Sequence, residues 1–204
     1  MTVEWLYIMA VLLGLLAFFE PCTIATHTLF AQRIHKKMVA TPGRELLFFL
    51  LARTLLTALL LFTATTVLPR VGWTKISPAV PLLVIGTLYL VTRFIYLPIP
   101  HLEFYRLLSP CRRTVPYAIQ LGLTLPACTI PLVCILIGGA ITLDLPSVAG
   151  IAGLLFGAAF SCVTVLTSIT GIGSRGAGFL STAAKTTPYA TSFFLVTAAV
   201  YLLS

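Results

Sequence analysis

Charge is what this sequence has least of. Asp, Glu, Lys and Arg make up only 9% of its 204 residues, against roughly 25% in soluble proteins. A water-facing surface cannot be assembled from so few, and a soluble globular domain is excluded. Also missing are a cluster of His, Cys and carboxylate at metal-ligand spacing, a phosphate-binding glycine loop and a Ser/His/Asp arrangement. No Ser/Gly-rich linker, charge run or low-complexity tract divides the chain. What is abundant is hydrocarbon: 59% of residues are apolar and the mean hydropathy is +1.06. More apolar surface is present than one core of this length hides, so lipid is the expected solvent for the outside.

Six apolar segments stand out, at about Trp5 to Phe30, Leu46 to Leu68, Pro78 to Leu97, Val115 to Ile141, Ser147 to Thr170 and Pro188 to Leu203. Each is near the roughly 20 residues that cross a bilayer as helix. The first has no basic stretch before it and no small-x-small cleavage pattern after it, and reads as a retained helix rather than a secretory signal. The expected fold is therefore all-α: a polytopic membrane protein of six transmembrane helices, forming one transmembrane domain over residues 1–204 with short connections.

The excess of 13 Lys and Arg over 5 Asp and Glu is a topology signal in such a protein, not a nucleic-acid footprint. Loops one, three and five carry ten basic residues and loops two and four carry two. The positive-inside rule then makes those three loops cytoplasmic and puts both termini and the turn at Asp144 outside. The expected location is the inner or cytoplasmic membrane. The remaining basic residue, Arg53, lies inside the second span; snorkelling toward the cytoplasmic side is the favoured reading, and a charge facing a wet cavity is the other.

Spans one and four are each interrupted by proline beside a cysteine: Phe19-Glu20-Pro21-Cys22-Thr23-Ile24 and Pro126-Ala127-Cys128-Thr129-Ile130-Pro131. Proline inside a helix removes a hydrogen bond and clashes with the preceding turn. Hydrocarbon offers no water to replace it, so broken backbone at this depth must line protein or a cavity. Residues 20–24 and 126–131 are expected to be non-helical or kinked and to meet in the interior. The cysteines are 106 residues apart with an odd number of spans between them, which inverts orientation. The chain is read as two inverted three-helix repeats, about 1–100 and 110–204, with broken helices one and four. Two independent proline kinks are the simpler alternative.

The stretch Gly14-Leu15-Leu16-Ala17-Phe18-Phe19-Glu20-Pro21-Cys22, and Gly122 through Pro126-Ala127-Cys128-Thr129-Ile130-Pro131-Leu132, resemble the motifs of the CcdA type and of the membrane domain of the DsbD type of thiol–disulfide electron transporters, the cytochrome c biogenesis kind. The resemblance implies that Cys22 and Cys128 form a reversible disulfide. Cytoplasmic thioredoxin would reduce it and an extracytoplasmic thioredoxin-like protein would reoxidise it, with no bound cofactor and no metal. Two positions depart from that pattern: Ala25 stands where the family has a second proline, and Ala127 separates Pro126 from Cys128.

Around the pair, Pro21, Pro126 and Pro131 free backbone N–H groups, and Thr23 and Thr129 add hydroxyls that support a thiolate. Glu20, the only acid within a span, is either a proton acceptor beside Cys22 or a protonated carboxyl bonded to freed backbone. Gly14 and Gly122 are candidate hinges for alternating access. Cys111 reads as a cytoplasmic bystander, and Cys134 and Cys162 as small hydrophobes within helices. Gly153 and Gly157, in GxxxG spacing, read as helix packing. His27 reads as an interfacial polar group. The chain is thus expected to be an electron carrier of oxidoreductase type rather than a conventional enzyme. A small amino-acid or soft-metal exporter using the same cavity is the rival, and a scaffold bundle leaves both cysteine breaks unexplained.

The loop count predicts that topology reporters fused at residue 204 and near Lys36 report opposite sides of the membrane, with the C-terminal fusion outside. A cytoplasmic C-terminus contradicts the assignment of faces.

Overall fold

The structure is a computed structural model, and it describes residues 2–35, 41–69, 102–103, 116–126 and 129–170, with single positions 87, 186, 189, 193, 196, 197 and 200. The described chain is mostly helical. In order, α1 is Val3–Phe18, α2 Pro21–His35, α3 Pro42–Val67, α4 Tyr117–Gly122, α5 Ile130–Ile141 and α6 Pro146–Thr170. A two-residue strand, β1 at Leu102–Glu103, pairs antiparallel with β2 at Thr124–Leu125. Two of the described helices, α3 and α6, are long and apolar enough to cross a membrane.

Prolines set the starts of the long helices. Pro42 and Pro146 open α3 and α6, where a missing N–H costs nothing because the first turn has no acceptor for it. The expected first span divides into α1 and α2, and the second and fifth match α3 and α6 to within a turn. The third expected span except Thr87, the second and third loops except Pro69 and β1, and most of the sixth span lie outside the described residues. Of the sixth, Tyr189, Phe193, Val196 and Val200 are helical and exposed at helical spacing.

Helix α6 is the centre of the bundle because it is narrow on one side and bulky on another. Its small ridge, Gly153 and Gly157, lies against α3. A methyl group placed on Gly153 would come 2.6 Å from the Thr57 carbonyl oxygen and 2.7 Å from Ala58 Cα. The Thr57 hydroxyl donates across this contact to the Gly153 carbonyl at 2.7 Å. The GxxxG spacing therefore does what such spacing does between membrane helices, letting two backbones approach. On the adjoining ridge, Phe156 meets α1 at Gly14 and Thr164 meets α2 at His27. These contacts run in one sense along α1–α2 and α6, whereas Gly157 opposite Thr54 and Gly150 opposite Phe62 make α3 antiparallel to α6.

The core follows from this packing. Leu6, Ala10, Leu13 and Ala17 of α1 face Ala149, Ala152, Phe156 and Phe160 of α6 in one cluster with Leu132 and Leu136 of α5. On α3 the buried positions are Phe49, Arg53, Thr57, Leu61 and Thr65, one every four residues. The outward stripe of the same helix is Leu47, Leu51, Leu55, Leu59 and Phe62, all exposed. An uninterrupted apolar exterior of this kind is suited to acyl chains rather than water. The side-chain hydroxyls of Thr54, Thr63, Thr65 and Thr66 bond back to carbonyls three or four residues earlier, so none of these four hydroxyls is left unmet.

The close approach gives a quantitative expectation. Gly153→Ala is expected to lower stability by about 1–3 kcal/mol through overpacking against backbone. Gly43→Ala, at a position with nothing within 4 Å, is expected to leave it unchanged or raise it by up to about 1 kcal/mol. Unfolding of the two variants in mixed micelles measures the difference.

Candidate functional site

The first break falls at Phe19–Glu20. The chain leaves α1 through a bond from the Phe19 N–H to the Leu16 carbonyl at 3.0 Å, and α2 starts at once with Pro21. The interruption expected over 20–24 is thus confined to two residues, with Cys22 already at the second position of a helix. The physical reason is that proline at a first helical position is favourable, whereas inside a turn it is not. The Glu20 carbonyl accepts from both Thr23 and Ile24 N–H at 3.0 Å and so serves as the first acceptor of the new helix. Glu20 and Thr23 are both fully buried.

The second break is longer. Helix α4 ends at Gly122, the chain runs through β2 and Pro126, and α5 resumes at Ile130 with Pro131 at its second position. The departure from helix expected at 126–131 thus begins earlier, at Leu123, and the helix is regained by Ile130. Thr129 closes it: its N–H and its hydroxyl both donate to the Pro126 carbonyl, at 3.0 and 2.7 Å. Ala127, Cys128 and Cys111 lie outside the described residues, as does the side chain of Cys22. Cys134 is half-buried against the α1–α6 core and Cys162 is exposed, both as free thiols.

Gly14, expected as a hinge, lies inside α1 away from the break. A methyl group there would sit 2.5 Å from the Phe156 carbonyl oxygen, so what glycine provides is room for α6. Gly122 does sit at a break. It packs on α3, where a methyl group would approach Ala52 Cβ at 2.7 Å and the Phe49 carbonyl oxygen at 2.9 Å.

Two side chains change position relative to expectation. Arg53 does not snorkel; it is fully buried. Its Nη2 donates to the Leu121 carbonyl at 2.7 Å, an oxygen among the last carbonyls of α4, which have no partner within their own helix. Its guanidinium carbon lies 4.7 Å from the centre of the Phe160 ring and 5.7 Å from that of Phe49. His27 is not interfacial either. It is 1% exposed, its Nδ1 shares a 2.6 Å hydrogen bond with the Thr164 hydroxyl, and its ring stacks on Phe160 at 5.3 Å and meets Phe49 edge-on at 5.4 Å. Both residues rest on the same two phenylalanines.

The result is a polar knot in an apolar interior. It joins α2, which carries Cys22, to α4, which leads into the segment of Cys128, with Phe49 and Arg53 of α3 touching both. Helical register held the available signal. Arg53 falls four residues from Phe49 and from Thr57 on the inward stripe of α3, and His27 falls in register with Thr23, Phe30 and Ile34, all buried. Among the described residues no group of His, Cys and carboxylate is placed to hold a metal ion.

The chain matches no protein-family model, no curated protein and no solved structure. The functional reading consequently depends on the residues and their arrangement.

Proposed function

We propose that this protein is a membrane electron carrier of six spans in two inverted halves, passing reducing equivalents by thiol–disulfide exchange through Cys22 and Cys128. Thioredoxin supplies electrons on the cytoplasmic face, and a thioredoxin-like protein receives them on the other, as cytochrome c maturation requires. The observation that supports the reading is that the helix following the first proline-associated break and the helix preceding the second both meet one pair of α3 residues. Phe49 contacts His27 of α2 and backs Gly122 of α4, and Arg53 holds Leu121 immediately before the second break.

The chemistry needs such a place. A thiolate attacks a disulfide in line, forms a mixed disulfide and is displaced by the resolving sulfur. Apolar surroundings oppose thiolate formation, and free helix N-terminal amides and a nearby positive group favour it. Cys22, at the second position of α2, lies in the first turn of a helix, where the positive end of the helix dipole favours a thiolate. In each cycle a reduced donor dithiol is oxidised as the Cys22–Cys128 disulfide gains two electrons and two protons. The resulting dithiol then reduces the outer acceptor disulfide. Because the two partners act from opposite sides, the site opens to each in turn by movement of the broken halves.

Changing either Cys22 or Cys128 to Ser is expected to abolish transfer and to leave a trapped mixed disulfide with one partner, visible on non-reducing gels, because the resolving sulfur is missing. Changing Cys111, Cys134 and Cys162 together is expected to retain transfer, with a packing cost of the order of 1 kcal/mol at half-buried Cys134. Transfer by the Cys22/Cys128 double mutant, or its loss in a folded triple mutant, overturns the assignment.

A further inference from the structure

Five buried side-chain atoms among the described residues have no hydrogen-bond partner: Thr23 Oγ1, His27 Nε2, Arg53 Nε, Arg53 Nη1 and Ser161 Oγ. They are not scattered. Thr23 is one turn ahead of His27 on α2, and Ser161 one turn ahead of Thr164 on α6, the two turns being tied by the His27–Thr164 bond. Ser161 also follows Gly157 by one turn on the ridge that meets α3 at Arg53. Arg53 and His27 each lie no more than 5.3 Å from the centre of the Phe160 ring. A packed interior normally satisfies its polar groups, and orphans gathered in one place call for a common partner.

The chemistry of the orphans is one-sided. Three of the five N–H bonds of the guanidinium belong to Nε and Nη1, and the hydroxyls of Thr23 and Ser161 are free to donate. When His27 Nδ1 accepts from Thr164, Nε2 carries the remaining hydrogen and is a donor as well. No carboxylate, that of Glu20 included, bonds to Arg53 Nε or Nη1. A guanidinium is always protonated in proteins, and in hydrocarbon surroundings an uncompensated charge is much more costly than at a surface. Water offers as many donors as acceptors and does not neutralise the charge.

We propose that Thr23, His27, Arg53 and Ser161 form an intramembrane binding site for one compact monovalent anion, a halide or the carboxylate of a small solute. One fixed positive charge sets the valence, and the bulky walls of Phe49 and Phe160 limit the size. The site uses described residues alone and does not depend on redox chemistry at Cys22 and Cys128.

The test is the 35Cl NMR linewidth of chloride titrated into the detergent-solubilised full chain at constant ionic strength, with sulfate as the balancing salt. The wild type is expected to give a saturable excess width that sodium formate displaces. Displacement at formate concentrations about tenfold below the chloride midpoint assigns a carboxylate ligand, and weaker displacement assigns a halide. Arg53→Gln is expected to abolish the excess width. His27→Gln and Thr23→Val, which keep the arginine in place and carry the test if Arg53→Gln does not fold, are each expected to weaken binding by about tenfold, the effect of one hydrogen bond to a charged group. The Cys22→Ser/Cys128→Ser double mutant is expected to bind as the wild type does, which separates this site from the electron-carrier reading. Absence of saturable broadening in the folded wild type, meaning hydration only, overturns the proposal. So does broadening unchanged in all the folded site variants, or binding that emerges only when both cysteines are removed, which would make the chain's own thiolate the counter-charge.

Discussion

A guanidinium with no exposure to solvent is the constraint around which the rest of this structure is arranged. Arg53 is held on α3 by one hydrogen bond to the Leu121 carbonyl and by the faces of two phenylalanines, and each of those partners belongs to a part of the chain with a further duty. Leu121 is the last turn before the second break. Phe160 is the surface on which His27 stacks. To keep Arg53 inside, α3 must lie close to α6, and glycines at 153 and 157 permit that approach. A bulkier α6 would push α3 outward and separate the Arg53 guanidinium from the Phe160 ring.

The breaks depend on the same packing. Interrupted helices expose N–H and C=O groups that hydrocarbon cannot solvate, and they persist only where protein supplies the partners. At the first break the Glu20 carbonyl takes up two N–H groups of α2; at the second, Thr129 folds back on Pro126 and Arg53 takes up a carbonyl of α4. Both interruptions are thus satisfied locally and then fastened to α3 and α6. The helix that follows the first break is thereby tied to α6 and the helix that precedes the second to α3, so in the proposed reading the two long helices are the frame against which the broken halves move.

Much of this was legible from residues alone. The apolar runs opened by Pro42 and Pro146 delimit α3 and α6, and the glycine pair on α6 reads correctly as a close helix contact. The proline-cysteine motifs mark where helices stop, although the first stop is tighter than expected because Pro21 suits the opening position of a helix. What could not be read was which polar residues turn inward. Arg53 meets Leu121 and His27 meets Thr164 across 68 and 137 residues of sequence, and a long basic side chain in an apolar span has snorkelling as its cheaper option unless a carbonyl and aromatic faces happen to be waiting inside. The pairing of Thr124–Leu125 with Leu102–Glu103 was equally hidden, since two residues carry no period. Gly14 reads as a hinge because it precedes the motif, and what the structure adds is its close packing against Phe156 and Ala159 of α6.

The most direct test of the account is the thiol state of Cys22 and Cys128 in isolated membranes, read by alkylation and mass spectrometry with and without reduced thioredoxin on the cytoplasmic face. The account predicts an intramolecular Cys22–Cys128 disulfide in untreated membranes that opens to two free thiols when reduced thioredoxin is supplied, while Cys134 and Cys162 stay free throughout. Two cysteines that remain free thiols under oxidising conditions, or a disulfide whose state is indifferent to thioredoxin, would contradict it.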